Sequence, residues 1–307
     1  MRPSDPAVTI IIPSRGLAAR ATLLWRAIDS VRAQRGVVAV PLVVLNGAQR
    51  APEVEGALRA ATDVRLIVCD DADLPAAHRA GREVVDTPWF GTLDDDDLLL
   101  PDALAQRVLA LESRPNVDVV VTNGLVRAGD RDALHVPEGD DIAGDPLRAL
   151  LRQNWLLPGA WLARTARVGV SLYHAMPRYR ECTFLALRFS TEYTMHWINV
   201  PTVVYHLDSP QAESRSREYA LGQVASVRAL LDLRLPTWMR RRLRREIVAA
   251  YHLGADRLWS EGRLRDAWHM HARTLGMWGG LRHLTFTRHL LAATWRQLRA
   301  SAPLALP

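Results

Sequence analysis

The sequence predicts an α/β protein in which a mostly parallel β-sheet, flanked by helices, is followed by an all-helical C-terminal region. Three patterns indicate this: short apolar runs that suit buried strands, helix-like segments between them, and a basic final third with helical spacing. Strands that are apolar on both faces need helices on each side, and strands that alternate with helices form a parallel sheet.

Turn and proline signals delimit the strands and helices of the first 125 residues. Pro13 closes the first apolar run, and the pair Asn46-Gly47 ends the second. Pro75 and Pro101 each stand at the start of a helix-like segment, where a missing N–H breaks no hydrogen bond. The predicted strands are residues 8–12, 41–45, 64–69, 89–93 and 117–121, and the predicted helices are residues 18–31, 75–85 and 101–111.

The rest of the chain divides at about residue 215. Residues 126–215 are mixed in pattern and rich in turns, whereas residues 216–307 look helical throughout. The charge changes at the same point, because residues 216–307 hold 16 arginines against 6 acidic residues, a net charge of +10, and residues 1–215 carry −4. This shift predicts a domain boundary. The helices predicted beyond it are residues 236–258, 263–275 and 281–298, with a break at Glu261-Gly262.

The residue composition excludes several classes of protein. All 39 basic residues are arginine, so no lysine can form a Schiff base or complete a G-x-x-x-x-G-K-[ST] phosphate loop. No G-x-S-x-G or G-x-G-x-x-G motif is present, which disfavours hydrolases and dehydrogenases. Cys69 and Cys182 are too few for a disulfide scaffold or a cysteine-built zinc site. We therefore expect a cytoplasmic protein with reduced thiols.

The apolar segments are too short for a membrane protein or a secreted one. The first apolar run has only about six residues, fewer than a signal peptide needs. No segment approaches the roughly 20 apolar residues that span a bilayer. The sequence predicts a soluble or at most peripheral protein.

Four consecutive aspartates, Asp94 to Asp97, directly follow the fourth predicted strand. Ligands of parallel sheets bind outside the carboxyl ends of the strands, so these carboxylates lie at a predicted binding edge. Two carboxylates about 6 Å apart repel each other by roughly 3 kcal/mol at an effective dielectric constant of about 20. A divalent cation would offset this repulsion, and oxygen ligands suit Mg²⁺ or Mn²⁺. A helix N-terminus alone would favour one or two aspartates, not four.

The block Trp89 to Asp97, with Pro101 after it, resembles the D-x-D region of family-2 glycosyltransferases of the GT-A fold. The segment Pro13-Ser14-Arg15-Gly16 and the helix 75–85, with Arg79 and Gly81, resemble further parts of that family. The resemblance covers about residues 7–215. It implies a GT-A catalytic domain over 1–215, with a nucleotide-binding half at about 1–125 and an acceptor half at about 126–215, followed by the basic helical region 216–307.

The resemblance also implies a nucleoside-diphosphate sugar donor and a Mn²⁺ or Mg²⁺ ion that bridges the diphosphate to the aspartates. Asp94 and Asp96 take the D-x-D positions, with Asp96 as the direct metal ligand. Asp95 and Asp97 would lie beside the ribose and sugar or support the loop. The residues expected to contact the donor are Pro13, Ser14, Arg15, Asn46, Arg79, Asp94 and Asp95.

An acidic catalytic base on a helix downstream of the aspartates is a further implication of the resemblance. The segment 176–188 matches that helix, and Glu181 is the only acidic residue between Asp145 and Glu192. Relatives often have Glu-Asp here, with the aspartate as the base, whereas this chain has Glu181-Cys182. Glu181 is the predicted base, and a surface glutamate on a helix is the alternative.

Two other family motifs are less complete. The segment 203–210 resembles a late motif in which a histidine reaches the metal or the diphosphate. His206 or Asp208 could make this contact, and a hydrogen bond at a strand end is the alternative role; Asp208 is also the next candidate for the base after Glu181. Relatives usually have Asp-Asp-Gly-Ser after the second strand, but this chain has Leu45-Asn46-Gly47-Ala48. The Asn46 amide can still bond a nucleobase, so the change affects the expectation of uridine specificity rather than of nucleotide binding.

The basic region contains the segment Arg240-Arg241-Arg242-Leu243-Arg244-Arg245 beside Trp238. It is either the solvated face of a helical hairpin or part of a surface over residues 236–300 that binds an anionic membrane, where each arginine adds about 1 kcal/mol. Nucleic acid is not an expected partner.

The sequence as a whole predicts a metal-dependent inverting glycosyltransferase in polysaccharide or glycoconjugate synthesis, with a hydroxyl-bearing sugar or lipid-linked acceptor. It would be cytoplasmic or peripheral at the inner face of the membrane. A sugar-nucleotide pyrophosphorylase is the first alternative, but it usually has a G-x-G-T loop and a lysine, which this chain lacks. The second alternative is a non-catalytic binding protein on a degenerate transferase fold.

Overall fold

The structure is a computed structural model that describes residues 7–208 and 213–301. The chain forms two compact units, Met1–Ala212 and Glu213–Pro307. The first unit holds a β-sheet flanked by helices, and the second consists of helices. This confirms the predicted α/β class with a helical C-terminal region.

Nine strands within residues 7–208 form one mixed sheet in the order β3-β2-β1-β4-β8-β6-β9-β5, with β7 paired to β6. The parallel pairs are β1 with β2 and β4, β2 with β3, and β6 with β9, whereas β8 runs antiparallel to both β4 and β6. The predicted parallel half is therefore present, and antiparallel strands extend it. The strands are β1 Ala7–Ser14, β2 Val38–Asn46, β3 Arg65–Cys69, β4 Trp89–Thr92, β5 Leu98–Leu99, β6 Val119–Ala128, β7 Arg131–Leu134, β8 Trp161–Arg164 and β9 Met195–His206.

The helices of the first unit connect these strands. A single 3-10 turn over Ala18–Arg20 leads into the first predicted helix. The helix Pro52–Ala60 was not predicted; it is short and contains Gly56, which weakens a helical pattern. The helices are α1 Ala21–Arg32, α2 Pro52–Ala60, α3 Leu74–Glu83, α4 Ala103–Glu112, α5 Asp140–Gly144, α6 Pro146–Ala149 and α7 Glu181–Glu192.

Gly81, in α3, marks a close approach between this helix and the sheet. A Cβ atom at Gly81 would lie 2.5 Å from Ile11 Cγ2 and 3.2 Å from Val44 Cγ2. Both side chains are fully buried in the core, so neither can move aside without disturbing its neighbours. The helix lies this close to β1 because residue 81 has no side chain.

We expect Gly81→Ala to lower the free energy of unfolding by about 1–3 kcal/mol, because the added methyl group overpacks the core. Gly56→Ala is the matched control, since a Cβ at that helical position has nothing within 4 Å. It should raise the stability by about 0.5–1 kcal/mol through helix propensity and chain entropy. Urea unfolding followed by circular dichroism measures both variants, and equal shifts would contradict the close approach.

The described part of the second unit, residues 213–301, contains four long helices. In it α9 packs against both α8 and α10, and Gly262, with φ of 73°, makes the left-handed turn between α9 and α10. The predicted break at Glu261-Gly262 lies at this turn. No helix within residues 7–208 and 213–301 is long and apolar enough to cross a membrane. The helices are α8 Arg217–Leu230, α9 Thr237–Ser260, α10 Leu264–Leu275 and α11 Phe286–Ser301.

Candidate active site

The carboxyl ends of β1 and β4 lie side by side and position the candidate site. β1 pairs in parallel with β4 as far as Ile11 opposite Thr92. Leu93 N then donates to Ile11 O over 3.0 Å, which continues the pairing towards the aspartates. The four aspartates therefore leave the sheet at its carboxyl edge, next to the end of β1.

Asp95 holds the loop that follows β1. Its Oδ2 accepts from Ser14 Oγ at 2.5 Å, and its Oδ1 accepts from Arg20 Nη2 at 2.5 Å. The Arg20 guanidinium also lies 3.1 Å from Asp96 Oδ2. Burial lowers the pKa of Arg20, but hydrogen bonds to Asp95 and Asp96 and their charges outweigh burial and raise that pKa. In this structure Asp95 supports the loop, which is one of the two roles that were expected for it from the sequence.

Asp94, Asp96 and Asp97 form an acidic group. Each offers one carboxylate oxygen, and these three oxygens lie within 4.8 Å of one another. At this separation each pair of charges repels by roughly 3 kcal/mol at an effective dielectric constant of about 20. Burial, followed by the charges of the neighbouring aspartates, raises the pKa of Asp94 well above its usual range. Burial and then the charge of Asp96 do the same to the pKa of Asp97.

The surroundings of Asp97 fit a bound cation. Asp97 is fully buried, and its Oδ1 accepts from His206 N at 2.9 Å. Its Oδ2 is buried without a hydrogen-bond partner. A buried carboxylate oxygen without a donor, beside two further carboxylates, has the chemistry of a ligand for Mg²⁺ or Mn²⁺. The predicted ligand His206 lies next to the group, with its Nδ1 3.7 Å from Asp97 Oδ1.

Glu181 begins α7 and acts electrostatically on the acidic group. After burial and the neighbouring aspartates, the charge of Glu181 also raises the pKa of Asp94. Glu181 Oε1 accepts from Tyr179 N over 2.8 Å, and Tyr179 has a left-handed φ of 73°. Burial, then the charges of Asp94 and Glu181, raise the pKa of the Cys182 thiol well above its usual range, so this thiol stays neutral. The structure thus brings the predicted base and the predicted metal ligands together.

The other residues predicted to bind the donor lie mostly at the same edge of the sheet. Pro13 and Ser14 end β1, and Asn46 ends β2, so all three are at carboxyl ends of parallel strands. Arg15 is exposed in the loop after β1, and Arg79 is exposed on α3. Their guanidinium groups are accessible to an anionic ligand.

Asp208, the alternative base, contacts a different part of the first unit. Its Oδ2 accepts from Gly129 N at 2.6 Å, in the turn between β6 and β7. This contact ties its carboxylate to a hairpin, whereas Glu181 contributes its charge to the acidic group itself.

Three further residues at the site were not assigned from the sequence: Arg20, Arg26 and Tyr205. Arg26 Nη2 donates to Asp96 O at 3.1 Å. Burial, followed by the charges of Asp94 and other neighbours, raises the pKa of Tyr205. Both arginines lie in the helical segment after the first strand, which follows a predicted binding loop. Spacing alone did not indicate which arginine turns towards the carboxylates.

We expect Asp97→Asn to raise the melting temperature of the metal-free protein at pH 7. A carboxyl whose pKa is raised by folding stabilises the fold below its unfolded pKa of about 3.9 and loses this contribution as the pH rises through its folded pKa. Asparagine cannot ionise, yet its Oδ1 can still accept from His206 N. The difference from the wild type should therefore shrink towards pH 4, as scanning calorimetry across this pH range would show.

Asp63→Asn is a control of opposite sign for this prediction. The hydrogen bond from Arg32 lowers the pKa of Asp63, so its contribution to stability is present above the unfolded pKa and is lost as the pH falls. Asp63→Asn should slightly lower the melting temperature at pH 7 and have no effect at low pH. A fall for Asp97→Asn at pH 7 would contradict the electrostatic account of the acidic group.

The comparison with protein families agrees with this site. Residues 9–160 match the family model described as "Glycosyl transferase family 2". That segment includes the end of β1, α3 and the aspartates. The fold and the acidic group at the carboxyl edge of the sheet together define a GT-A-type transferase. The chain belongs to glycosyltransferase family 2, as its aspartate block predicted, and no curated protein is significantly similar to it in sequence.

Solved structures of one Staphylococcus aureus protein share the fold. The crystal structure of S. aureus TarS 1-349 in complex with UDP-GlcNAc has a TM-score of 0.58 at 9% identity, covering 87% of this chain and 83% of that chain. The structure of TarS 1-349 without a named ligand has a TM-score of 0.51 at 10% identity, with 83% and 72% covered. The complex with UDP has a TM-score of 0.52 at 10% identity, with 82% and 70% covered. At these identities the similarity shows the fold alone.

Proposed function

We propose that this protein is a metal-dependent inverting glycosyltransferase that moves a sugar from a nucleoside-diphosphate sugar to a hydroxyl acceptor. One observation carries the proposal. Three mutually repelling carboxylates lie at the carboxyl edge of the sheet, and one of them, Asp94, lies within electrostatic reach of Glu181, the only acidic residue of segment 146–191. Membership of glycosyltransferase family 2 supports the reaction class.

The acidic group would hold the cation through Asp94, Asp96 and Asp97, and a Mn²⁺ or Mg²⁺ ion there would stabilise the charge of the diphosphate leaving group. The burial of Asp97 keeps water away from this part of the site and strengthens the attraction for a cation. Ser14 and Arg20 fix Asp95 and so hold the loop against the aspartates. The exposed Arg15 and Arg79 would add positive charge to bind the phosphates.

Glu181 would act as the general base. A base must accept a proton from the acceptor hydroxyl while that oxygen attacks the anomeric carbon. Attack from the face opposite the leaving diphosphate is a single displacement, which inverts the configuration at that carbon. The hydrogen bond from Tyr179 N holds one carboxylate oxygen of Glu181, so the orientation of the base is set before substrate binds.

Uridine nucleotides are the first donors to test. One similar structure is a complex with UDP-GlcNAc, and another is a complex with UDP. Asn46 stands at the carboxyl end of β2, where the family more often has an aspartate, and its amide can still bond a base edge. Donors with guanine and thymine bases are the proper comparison, because this substitution changes the group that would contact the base.

The acceptor and the cellular location complete the proposal. A hydroxyl-bearing sugar or a lipid-linked sugar would be the acceptor, in polysaccharide or glycoconjugate synthesis. The enzyme would work in the cytoplasm, peripherally at the inner face of the membrane. The net charge of +10 over residues 216–307 supports attraction to an anionic surface.

Release of nucleoside diphosphate from UDP-, GDP- and dTDP-sugars, with and without Mn²⁺, tests the proposed activity. We expect release with at least one donor, abolished by a chelator and restored by Mn²⁺. Donor binding in calorimetry without any turnover would instead support a non-catalytic protein on this fold. Release of pyrophosphate from a nucleoside triphosphate and a sugar phosphate would support a pyrophosphorylase.

A further inference from the structure

The second unit exposes a concentrated apolar patch on α11 and the segment before it. Six of the thirteen exposed large apolar side chains among the described residues lie between residues 278 and 298, with exposed fractions of 54% to 78%. Single exposed leucines are ordinary on protein surfaces, whereas a concentrated apolar patch marks an interaction surface. The apolar patch consists of Trp278, Leu281, Leu284, Leu291, Trp295 and Leu298.

The patch does not contribute to the core of its own unit. The opposite face of α11 does so, because Phe286 and Leu290 are buried in a cluster with Leu258 of α9. At about 100° per residue, Leu291, Trp295 and Leu298 lie within about 60° of one another on the outer side. The helix therefore has one apolar stripe that is buried and a second that faces water.

The charged side chains beside the exposed stripe are all positive. Arg288 and Arg299 follow it around the helix within about 40° of Trp295, and the chain contains no acidic residue after Asp266. The Arg299 guanidinium lies over the Trp295 ring, 4.9 Å from its centroid. An apolar stripe with tryptophan, bordered by arginines, is the pattern of helices that lie in a membrane interface.

The basic segment of α9 joins the patch. The Arg245 guanidinium lies 5.1 Å from the centroid of the Trp278 ring. Arg241 and Arg244 are exposed close to it in sequence. Arg240, in contrast, donates through Nη1 to Leu231 O at 2.6 Å, at the end of α8. Arg240 thus has a structural role, whereas the other three are available to a ligand.

We propose that the apolar patch, together with Arg241, Arg244, Arg245 and the arginines of α11, docks on an anionic lipid bilayer. The tryptophans and leucines enter the boundary between headgroups and acyl chains, and the guanidinium groups bind lipid phosphates. The inference rests on the peripheral location within the proposed function and names its contact surface. It is independent of glycosyl transfer.

Flotation of the full chain with vesicles tests the docking. Binding is expected to vesicles of phosphatidylcholine with about 30% phosphatidylglycerol, and to be far weaker to phosphatidylcholine alone. It should weaken as salt shortens the Debye length from about 10 Å at 0.1 M to about 3 Å at 1 M. Equal binding to both vesicles, or to neither, would overturn the proposal.

Two variants separate the apolar and the charged contributions. The triple change Leu291→Ser, Trp295→Ser and Leu298→Ser should reduce binding at least tenfold, whereas Leu109→Ser, an equally exposed leucine of the first unit, should not. Replacing Arg241, Arg244 and Arg245 with glutamine should reduce it on the order of a hundredfold, at about fivefold for each arginine. Arg240 stays in place so that α8 keeps its contact.

Tryptophan fluorescence measures vesicle binding by the wild type, so it does not require that the triple serine variant folds. Trp278 and Trp295 are the exposed ones among the ten tryptophans. We expect the tryptophan emission maximum to shift to the blue with anionic vesicles. This shift should be lost in the double variant Trp278→Phe and Trp295→Phe. An unchanged shift in that variant would place the contact elsewhere on the chain.

Two further measurements separate this proposal from its alternatives. The patch would be an interface between two copies if the wild type did not bind vesicles and sedimented as a dimer. The triple serine change should then dissociate that dimer. Nucleoside diphosphate release with a water-soluble acceptor should be unchanged in every patch variant. A wild-type protein that binds vesicles but lacks this activity would contradict the proposed enzyme and not the docking.

Discussion

Turnover should fall by about 10²-fold or more in Glu181→Gln, with donor affinity nearly intact. Glutamine keeps an oxygen that can accept from Tyr179 N, so the left-handed turn before α7 should remain in place. What the change removes is the capacity to take a proton from the acceptor. Steady-state release of nucleoside diphosphate gives the rate, and calorimetry gives the affinity for the donor.

Two controls sharpen this test. Glu192→Gln alters the other end of the same helix, where Glu192 pairs with Arg188, and should change turnover less than about twofold. Glu181→Ala should lose the turn as well as the base and should therefore also lower the stability. A fall of less than about tenfold in Glu181→Gln would place the base elsewhere, with Asp208 as the next candidate.

Asp96→Asn should abolish the Mn²⁺-dependent part of donor binding. We expect the affinity for the donor in the presence of Mn²⁺ to fall on the order of a hundredfold or more. Changes to residues that only support a metal ligand already cost about 10- to 100-fold in affinity, and a direct ligand should cost at least as much. The melting temperature of the metal-free protein should be unchanged or higher, because repulsion among the three carboxylates falls. Arg20 keeps its bond to Asp95 in this variant.

Asp102→Asn is the matched control for this change. Asp102 is a partly exposed aspartate with a left-handed φ of 61°, a conformation that asparagine tolerates well. It pairs with Arg35 at the surface, and its replacement should leave donor binding unaltered. Donor titrations with and without Mn²⁺ compare the two variants. Equal affinities in Asp96→Asn and the wild type would refute the metal assignment.

The parallel half of the sheet was predictable because its signals are local. The strand 8–12 shows its burial in an unbroken β-branched run, although β1 continues past the predicted end at Pro13 to Ser14. Asp94 to Asp97 follow a buried strand, which places them at a binding edge in any parallel sheet. The matching family model confirms the family that these residues indicated. The isolation of Glu181 in sequence made it visible as a candidate base before any contact was known.

The antiparallel extension of the sheet could not be predicted in the same way. β8 is four residues long and ends in Arg164, so its own pattern is too brief to indicate a strand. Its place between β4 and β6 comes from pairing partners far away in the chain. The order of strands is thus set by long-range hydrogen bonding, which periodicity within a segment does not report.

The arrangement of the four aspartates also depended on contacts distant in sequence. The bond from Ser14 and Arg20 turns Asp95 towards the first loop, and the backbone of His206, 109 residues further along the chain, donates to Asp97. Four adjacent carboxylates look alike in a sequence. The path of the backbone decides which of them share a space, and therefore which could share a cation.

The helix α11 shows the same division within one element. The sequence by itself determined that residues 281–298 favour a helix, that they carry arginine but no acidic residue, and that they contain more apolar side chains than one stripe needs. Only the tertiary structure decided that Phe286 and Leu290 are buried while Trp295 and its neighbours face water. The physical reason is that helical periodicity defines faces, whereas burial depends on which face another helix covers.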